Sequence, residues 1–260
     1  MKTSFNKYHG TGNDFIMIDN RNLEFDAKNQ VLIEKMCSRR FGIGADGLIL
    51  LENDEKLDFK MVYFNADGNE STMCGNGGRC IVAFAKKLNI IDKTAEFMAI
   101  DGFHKATINE NFEVNLQMKD VADIELVNQD FVLDTGSPHY VKIVSEFEEE
   151  FVNQARAIRN NDRFKKEGIN VNFIKQLSEN ELEIRTFERG VEDETYACGT
   201  GCVASALSVM HKNNKTEQIS LSTKGGNIKV TADFKNGVYT NVWLWGPTTF
   251  VFSGNYSSTI

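Results

Sequence analysis

Met73-Cys74-Gly75-Asn76-Gly77 and Ala197-Cys198-Gly199-Thr200-Gly201 are two versions of one arrangement, one in each half of the chain. Each follows a β-like run and opens a helix-like run. At the offset that lays Cys74 on Cys198, Glu70 falls on Glu194, Ser71 on Thr195, Gly75 on Gly199 and Gly77 on Gly201. Further on, Gly102 falls on Gly226, Lys105 on Lys229 and Thr107 on Thr231. A twofold repeat of this length predicts two related α/β lobes, not a solenoid of many short units. The runs Cys80–Leu88 and Cys202–Met210 are apolar on nearly all sides, so each is expected as a helix wrapped by sheet. If the lobes face each other about a pseudo-twofold axis, the two loops meet in one cleft, a common place for a small-ligand site.

Working outward, strands are expected at 15–19, 48–51, 59–64, 95–100, 104–108 and 112–118 in the first half. A helix is expected at 31–39, with Val31, Ile33, Met36 and Cys37 apolar. The second half repeats the plan, with strands at 131–133, 139–144, 171–174, 182–187, 219–222, 228–234 and 238–244, and one more at 248–252. Phe151, Ala155 and Ile158 predict a helix over 148–159 behind an acidic first turn, which suits the helix dipole.

Composition bounds the function. The chain has 260 residues, enough for one large domain or two moderate ones, and 41% of them are hydrophobic. A formal net charge of −8 argues against a nucleic-acid partner but leaves local cations for an anionic ligand. No stretch is long and apolar enough for a transmembrane helix, and MKTSFNKYHG lacks the apolar segment of a signal peptide, so no membrane partner is expected. A cytoplasmic location, with reduced thiols, is the expectation. Five cysteines without a Cys-x-x-Cys pair argue against a disulfide framework or a zinc cage, so no metal is expected. Cys37, Cys80 and Cys202 read as small buried hydrophobes.

Cys74 and Cys198 read differently. A thiol at a helix start sees the partial positive charge of unpaired N–H groups. That is worth up to about 2 kcal/mol, or roughly one pKa unit toward thiolate. Two such thiols at one site resist holding two charges, so one thiolate beside one thiol is the natural state. Proton exchange at a chiral carbon needs that state: one sulfur takes the proton from one face, and its mate donates to the other. The small residues Gly75-Asn76 and Gly199-Thr200 leave backbone donors to stabilise a carboxylate as carbanion charge develops on it. The sequence has no G-x-G-x-x-G fingerprint and no Walker loop, and no cofactor is expected.

Other polar residues have plain local readings. Asn13 beside Gly12 reads as a turn cap, and Asn65 before Asp67-Gly68 as a turn residue. Asn170 reads as a strand-edge polar group, Glu188-Arg189 as a solvated charge pair, and His139 after Pro138 as either a structural histidine or a catalytic helper.

Taken together, Gly10-Thr11-Gly12-Asn13-Asp14-Phe15, Asn65-Ala66-Asp67-Gly68, Met73-Cys74-Gly75-Asn76-Gly77-Gly78-Arg79, Glu188-Arg189-Gly190 and Ala197-Cys198-Gly199-Thr200-Gly201 resemble the diaminopimelate epimerase family, in order and over nearly the whole chain. The resemblance implies a cofactor-independent epimerase acting on LL- and meso-2,6-diaminopimelate, on the route to lysine and peptidoglycan. It implies an α/β (α+β) fold of two pseudo-symmetric lobes, each a mostly antiparallel sheet around a central helix, over 1–122 and 123–247. A last strand within 248–260 returns to the first lobe, and the enzyme is expected as a homodimer.

By the same resemblance, Cys74 and Cys198 are the acid/base thiols, and Gly75-Asn76 with Gly199-Thr200 hold the reacting carboxylate. Asn13, Asn65, Asn170 and Arg189 match positions that bind the substrate's polar ends, Arg189 as a bidentate donor. Glu188 is implied beside the reacting ammonium, and His139 as a support for the thiol chemistry. Two positions depart: many members have asparagine where Ser137 stands, and some have glutamine where Gly47 stands. Neither is assigned a ligand role. Rival readings are a two-thiol racemase of proline or hydroxyproline, and a redox switch that joins Cys74 to Cys198.

Overall fold

The computed structural model describes residues 2–257. The chain divides into two compact units. The first runs from the N-terminus to Leu116 and takes back the segment from Gly246 onward; the second is Gln117–Trp245.

In the first unit, β1 (Lys2–Gly10), β2 (Asn13–Asp19), α1 (Gln30–Cys37), β3 (Gly47–Glu52), β4 (Phe59–Asn65), β5 (Glu70–Ser71), α2 (Gly75–Lys87), β6 (Thr94–Ala99), β7 (Gly102–Ile108) and β8 (Glu113–Gln117) follow in chain order. The pairs β2–β3 and β4–β6 are parallel, whereas β1–β2, β3–β4, β6–β7 and β7–β8 are antiparallel. Strands β2 and β3 read as unbroken apolar runs because both faces of the sheet are covered. Ile16, Ile18, Leu48 and Leu50 join Ile33 and Met36 of α1 in one cluster. Phe15 and Ile49 point the other way, toward Gly77 of α2.

The second unit contains β9 (Ile124–Val127), β10 (Asp130–Asp134), β11 (Pro138–Val144), α3 (Phe151–Arg159), β12 (Asn170–Gln176), β13 (Glu181–Glu188), β14 (Asp193–Thr195), α4 (Gly199–Asn213), β15 (Ile219–Thr223), β16 (Gly226–Lys235) and β17 (Val238–Pro247). Here β11–β12 and β13–β15 are parallel, and β9–β10, β10–β11, β12–β13, β15–β16 and β16–β17 are antiparallel. The first unit shows the same succession once β18 (Thr249–Ser257) is set antiparallel beside β1. Helix α3 covers the outer face through Phe151 and Ala155, which cluster with Val171, Phe173 and Phe187.

Helices α2 and α4 lie inside their units. Every residue from Gly75 to Ala85 is buried, and so is every residue from Gly201 to Met210. Apart from the buried Arg79, the basic side chains of these helices lie at Lys86-Lys87 and at His211-Lys212, in last turns where the dipole favours them. Helix α4 ends on Asn214 in the left-handed conformation. Its interior Ser208 donates to the Ala204 carbonyl (2.8 Å), which satisfies a hydroxyl that the core would otherwise penalise.

Three differences from the sequence pattern have physical causes. Both central helices start immediately after their cysteines, earlier than the apolar runs at Cys80 and Cys202. Glycine is a poor helix former, but a Cβ at Gly77 would stand 3.0 Å from Ile49 Cδ1, so only a small residue lets α2 sit this close to the sheet. Helix α3 starts at Phe151, so Glu148–Glu150 form the turn before it instead of its first turn. Strand β1 had no apolar pattern to reveal it: Lys7 is inward-facing and buried because Asp14 (2.7 Å) and the Gly44 carbonyl take its ammonium.

Gly77→Val should lift α2 from β3 and lower unfolding free energy by about 1–3 kcal/mol, the usual range for overpacking. Urea denaturation followed by far-UV circular dichroism checks this.

Candidate active site

Cys74 is the N-cap of α2, with extended backbone (φ −94°, ψ 131°). The first intrahelical bond runs from Gly78 N–H to the Cys74 carbonyl (2.7 Å), so the N–H groups before it point out of the helix start. The thiol is half-buried. Its Sγ lies 3.6 Å from Asn13 Oδ1, which also accepts from Asn76 Nδ2 (3.2 Å). Asn13 Nδ2 donates to Asp46 Oδ2 (2.7 Å). A carboxylate only accepts, so the Asn13 amide can stand one way, with its carbonyl toward Cys74. Asp46 is itself held by Arg39 (2.5 Å), which also pairs with Asp14 (2.8 Å). Burial pushes the Asp14 carboxyl up, but hydrogen bonds and charge from Arg39 and Lys7 outweigh it and hold it at about 2.

Arg79 braces the same turn from below. It is fully buried, and its guanidinium donates to the Gly75 carbonyl (3.2 Å), Asn76 Oδ1 (3.0 Å) and Thr11 Oγ1 (3.3 Å). Asn65 ends β4 and is exposed, and its backbone closes the 65–69 turn. A Cβ at Gly47 would lie 2.6 Å from both the Phe64 carbonyl oxygen and Tyr63 Cε2. The Tyr63 ring fills the space that a larger side chain at Gly47 would need.

In the second unit, Cys198 is the N-cap of α4, again extended (φ −114°, ψ 114°), and Cys202 N–H closes onto its carbonyl (2.9 Å). The Thr200 carbonyl accepts from Thr135 Oγ1 (2.9 Å), which pins the first turn to the loop after β10. Cys198 Sγ is 3.4 Å from Thr200 Oγ1, and Thr200 Oγ1 is 2.9 Å from His139 Nε2. His139 Nδ1 is 3.0 Å from Asn172 Nδ2. Asn170 begins β12: its Oδ1 accepts from Arg189 N–H (2.8 Å), and its Nδ2 donates to Ser137 Oγ (2.7 Å) and the Pro138 carbonyl (3.2 Å). Glu188 ends β13, and the exposed Arg189 follows it, with Nη1 on the Glu167 carbonyl (3.2 Å).

Burial pushes the Cys198 thiol well above its ordinary range, and the nearby Glu188 charge adds to the rise. Hydrogen bonds from Thr200 and the Gly201 N–H oppose it without winning. The helix start alone would have lowered this thiol, but the dipole is worth up to about 2 kcal/mol, whereas full burial shifts a group by up to about 3–5 pKa units. Cys198 therefore holds its proton. His139 is fully buried, and burial lowers it to about 3, so its ring is neutral.

Within the first unit the structure gathers Asn13, Cys74, Gly75 and Asn76; within the second it gathers His139, Asn170, Glu188, Arg189, Cys198, Gly199 and Thr200. Each unit also contributes residues that sequence pattern did not single out: in the first, Asp46, which orients Asn13, and Arg79, which orients Asn76; in the second, Asn172, which faces His139. The one signal that could have found Asn172 is a polar residue in an otherwise apolar strand, since Val171, Phe173 and Ile174 flank it.

The diaminopimelate epimerase family model matches residues 5–123 and 131–245. The chain is 53% identical over 249 residues to a diaminopimelate epimerase of Flavobacterium psychrophilum, covering 95% of this chain and 97% of the relative. It is 41% identical over 255 residues to the one from Chlorobaculum tepidum, covering 94% and 98%. Among solved structures, a PhzF-family phenazine biosynthesis protein of Bacillus anthracis shares the fold with a TM-score of 0.74 at 13% identity, covering 99% of each chain. A hydroxyproline epimerase of Agrobacterium vitis does so with a TM-score of 0.70 at 12% identity, covering 98% and 92%. At these identities the two structures speak for the fold alone.

The neutral His139 makes stability depend on pH. Its folded pKa of about 3 lies below the unfolded value of about 6.5, so the unfolded chain binds the proton first. Stability should fall as pH drops below about 6.5, by up to about 1.4 kcal/mol per unit from this group. Urea titrations at several pH values, comparing the chain with His139→Gln, check this: the variant should show a flatter slope in that window.

Proposed function

We propose a function for this chain from one premise: it belongs to the diaminopimelate epimerase family. It interconverts LL- and meso-2,6-diaminopimelate without a cofactor, supplying lysine and peptidoglycan precursors. One observation carries the reading: the chain places a thiol at the N-cap of each of its two internal helices, Cys74 and Cys198, in a sequence that matches this family along nearly its whole length.

In one direction, the Cys74 thiolate removes the α-proton, and the electron pair left on carbon delocalises into the carboxylate. Cys198, which burial keeps protonated, delivers its hydrogen to the opposite face. The charge passes from one sulfur to the other, and the reverse reaction exchanges the roles. Backbone donors of Gly75-Asn76 and Gly199-Thr200 hold the carboxylate and take up the developing charge. Asn13, Asn65, Asn170 and Arg189 bind the substrate's polar ends, and Glu188 lies beside the reacting ammonium. The turn that starts at Arg189 is fixed by Asn170, which supports a bidentate grip on the distal carboxylate. His139 supports the thiol chemistry through Thr200.

We further infer a homodimer in the cytoplasm. Cysteines that form no disulfide among the described residues suit that compartment, and among the described residues no helix is long and apolar enough to cross a membrane. Phe250, Val251 and Phe252 of β18 are exposed, which supports a covered face in an assembly.

Purified under reducing conditions with no added cofactor, the protein should exchange the substrate α-proton for solvent deuterium, as read by mass spectrometry. Cys74→Ala and Cys198→Ala should each lower stereoinversion at least about 10³-fold, within the usual worth of a positioned acid or base. Full turnover by either variant would remove the two-base mechanism. Chiral chromatography on LL-diaminopimelate, proline and hydroxyproline separates the substrate readings. Asp46→Ala should raise KM or lower kcat about tenfold while Tm moves little, because it releases the Asn13 amide.

A further inference from the structure

Asn172 is fully buried in β12, and its amide has only one possible orientation. Nδ2 lies 3.2 Å from the Tyr140 carbonyl, which can only accept, so the NH2 is on that side. Oδ1 then accepts from Thr186 Oγ1 (3.0 Å). The remaining N–H of the same NH2 is aimed at His139 Nδ1, 3.0 Å away. That ring nitrogen must offer its lone pair, so the single proton of the neutral imidazole sits on Nε2. Nε2–H donates to Thr200 Oγ1, which leaves the Thr200 hydrogen to point at Cys198 Sγ (3.4 Å). A donated hydrogen bond favours the sulfur's charged form. The opposite tautomer would take the Thr200 hydrogen for itself and present a lone pair to the sulfur, favouring the thiol.

We propose that Asn172 is a positioning residue for the thiol chemistry at Cys198: it fixes the His139 tautomer and through it aims the Thr200 hydroxyl hydrogen at Sγ. Gly201 gives independent support. A Cβ at Gly201 would lie 2.4 Å from Asn172 Oδ1, so this glycine allows the amide to sit directly against the first turn of α4. Glu188 and Cys202 oppose a charge on Cys198, and the Gly201 N–H supports it. Asp134 favours protonation of His139, Arg189 disfavours it, and burial dominates. With its pKa lowered to about 3, the ring is neutral near pH 7 and the chain of donors is complete there.

The proposal rests on the assignment of Cys198 as an acid/base thiol, but its first two readouts need no substrate. In protein carrying 15N-labelled histidine, His139 should show an imine-type Nδ1 and a pyrrole-type Nε2. Asn172→Asp, nearly the same shape but accepting only, should swap the two. In a Cys74→Ser background, iodoacetamide labelling of the Cys198 peptide at about pH 8, read by mass spectrometry, should slow about tenfold in Asn172→Asp. Thr200→Val should slow it similarly, and the double variant no further, which separates aim of the hydroxyl from the added charge. In the otherwise unaltered enzyme, the kcat/KM limb that reports Cys198 ionisation should move to higher pH in Asn172→Asp. A native Nδ1–H tautomer, labelling unchanged in Asn172→Asp, or additive losses in the double variant would overturn the proposal. If Asn172→Asp does not fold, the native spectrum and Thr200→Val decide it. Correct tautomer and labelling without turnover of diaminopimelate would instead fail the proposed function and leave this inference standing.

Discussion

The first turn of an α-helix carries N–H groups that no residue of the helix can satisfy. In α2 and α4 this constraint is severe, because both helices are enclosed by their own sheets along almost their entire length. Their start is the natural place for something negative, and each start carries a cysteine at the cap followed directly by a glycine. The rest of each unit serves that position. Gly77 brings α2 down onto Ile49, Thr135 ties α4 to the loop after β10, and Arg79 is buried to hold the Gly75-Asn76 turn in shape.

The environment then decides what each cap can do. Around Cys198, burial and Glu188 work against charge, while Thr200 and the Gly201 N–H work for it. The dipole is the smaller effect there, so a helix start does not by itself make a thiolate. Reaction instead draws on a thiol that keeps its proton and has donors in place for the moment it loses it. Beside Cys74 stands a side-chain carbonyl, Asn13 Oδ1, held there by a carboxylate behind it. The two caps are alike in backbone and different in the polar groups that surround them.

Much of this was readable from residue order. Strands β2 and β3, apolar throughout, and helices α2 and α4, apolar all round, announce themselves because burial on every side leaves no polar face to confuse the period. The cysteine caps were readable because they occur twice in matched settings. What stayed hidden depends on tertiary partners. Strand β1 buries Lys7 against Asp14, so its pattern looks solvated. Asp46 and Asn172 touch neither sulfur directly, and their importance lies in which way they turn another side chain. Such orientation is a property of three-dimensional hydrogen bonding, and a linear pattern carries no trace of it. The boundaries of α2 and α3 differed for a related reason: glycines that seem to forbid a helix are required by close packing, and acidic residues that seem to begin one form the turn ahead of it.

Strand β18 pairs with β1 from Lys2↔Ser257 to His9↔Thr249, with the rings of Phe252 and Phe250 packed on Phe5 and Tyr8. In the order of synthesis β1 precedes the whole of the second unit and β18 follows it. During synthesis the first unit must wait with an unfinished sheet margin and uncovered aromatic rings, while the second, contiguous in sequence, is free to close before it. Closing the sheet of the first unit therefore depends on a strand that follows the whole of the second unit in sequence.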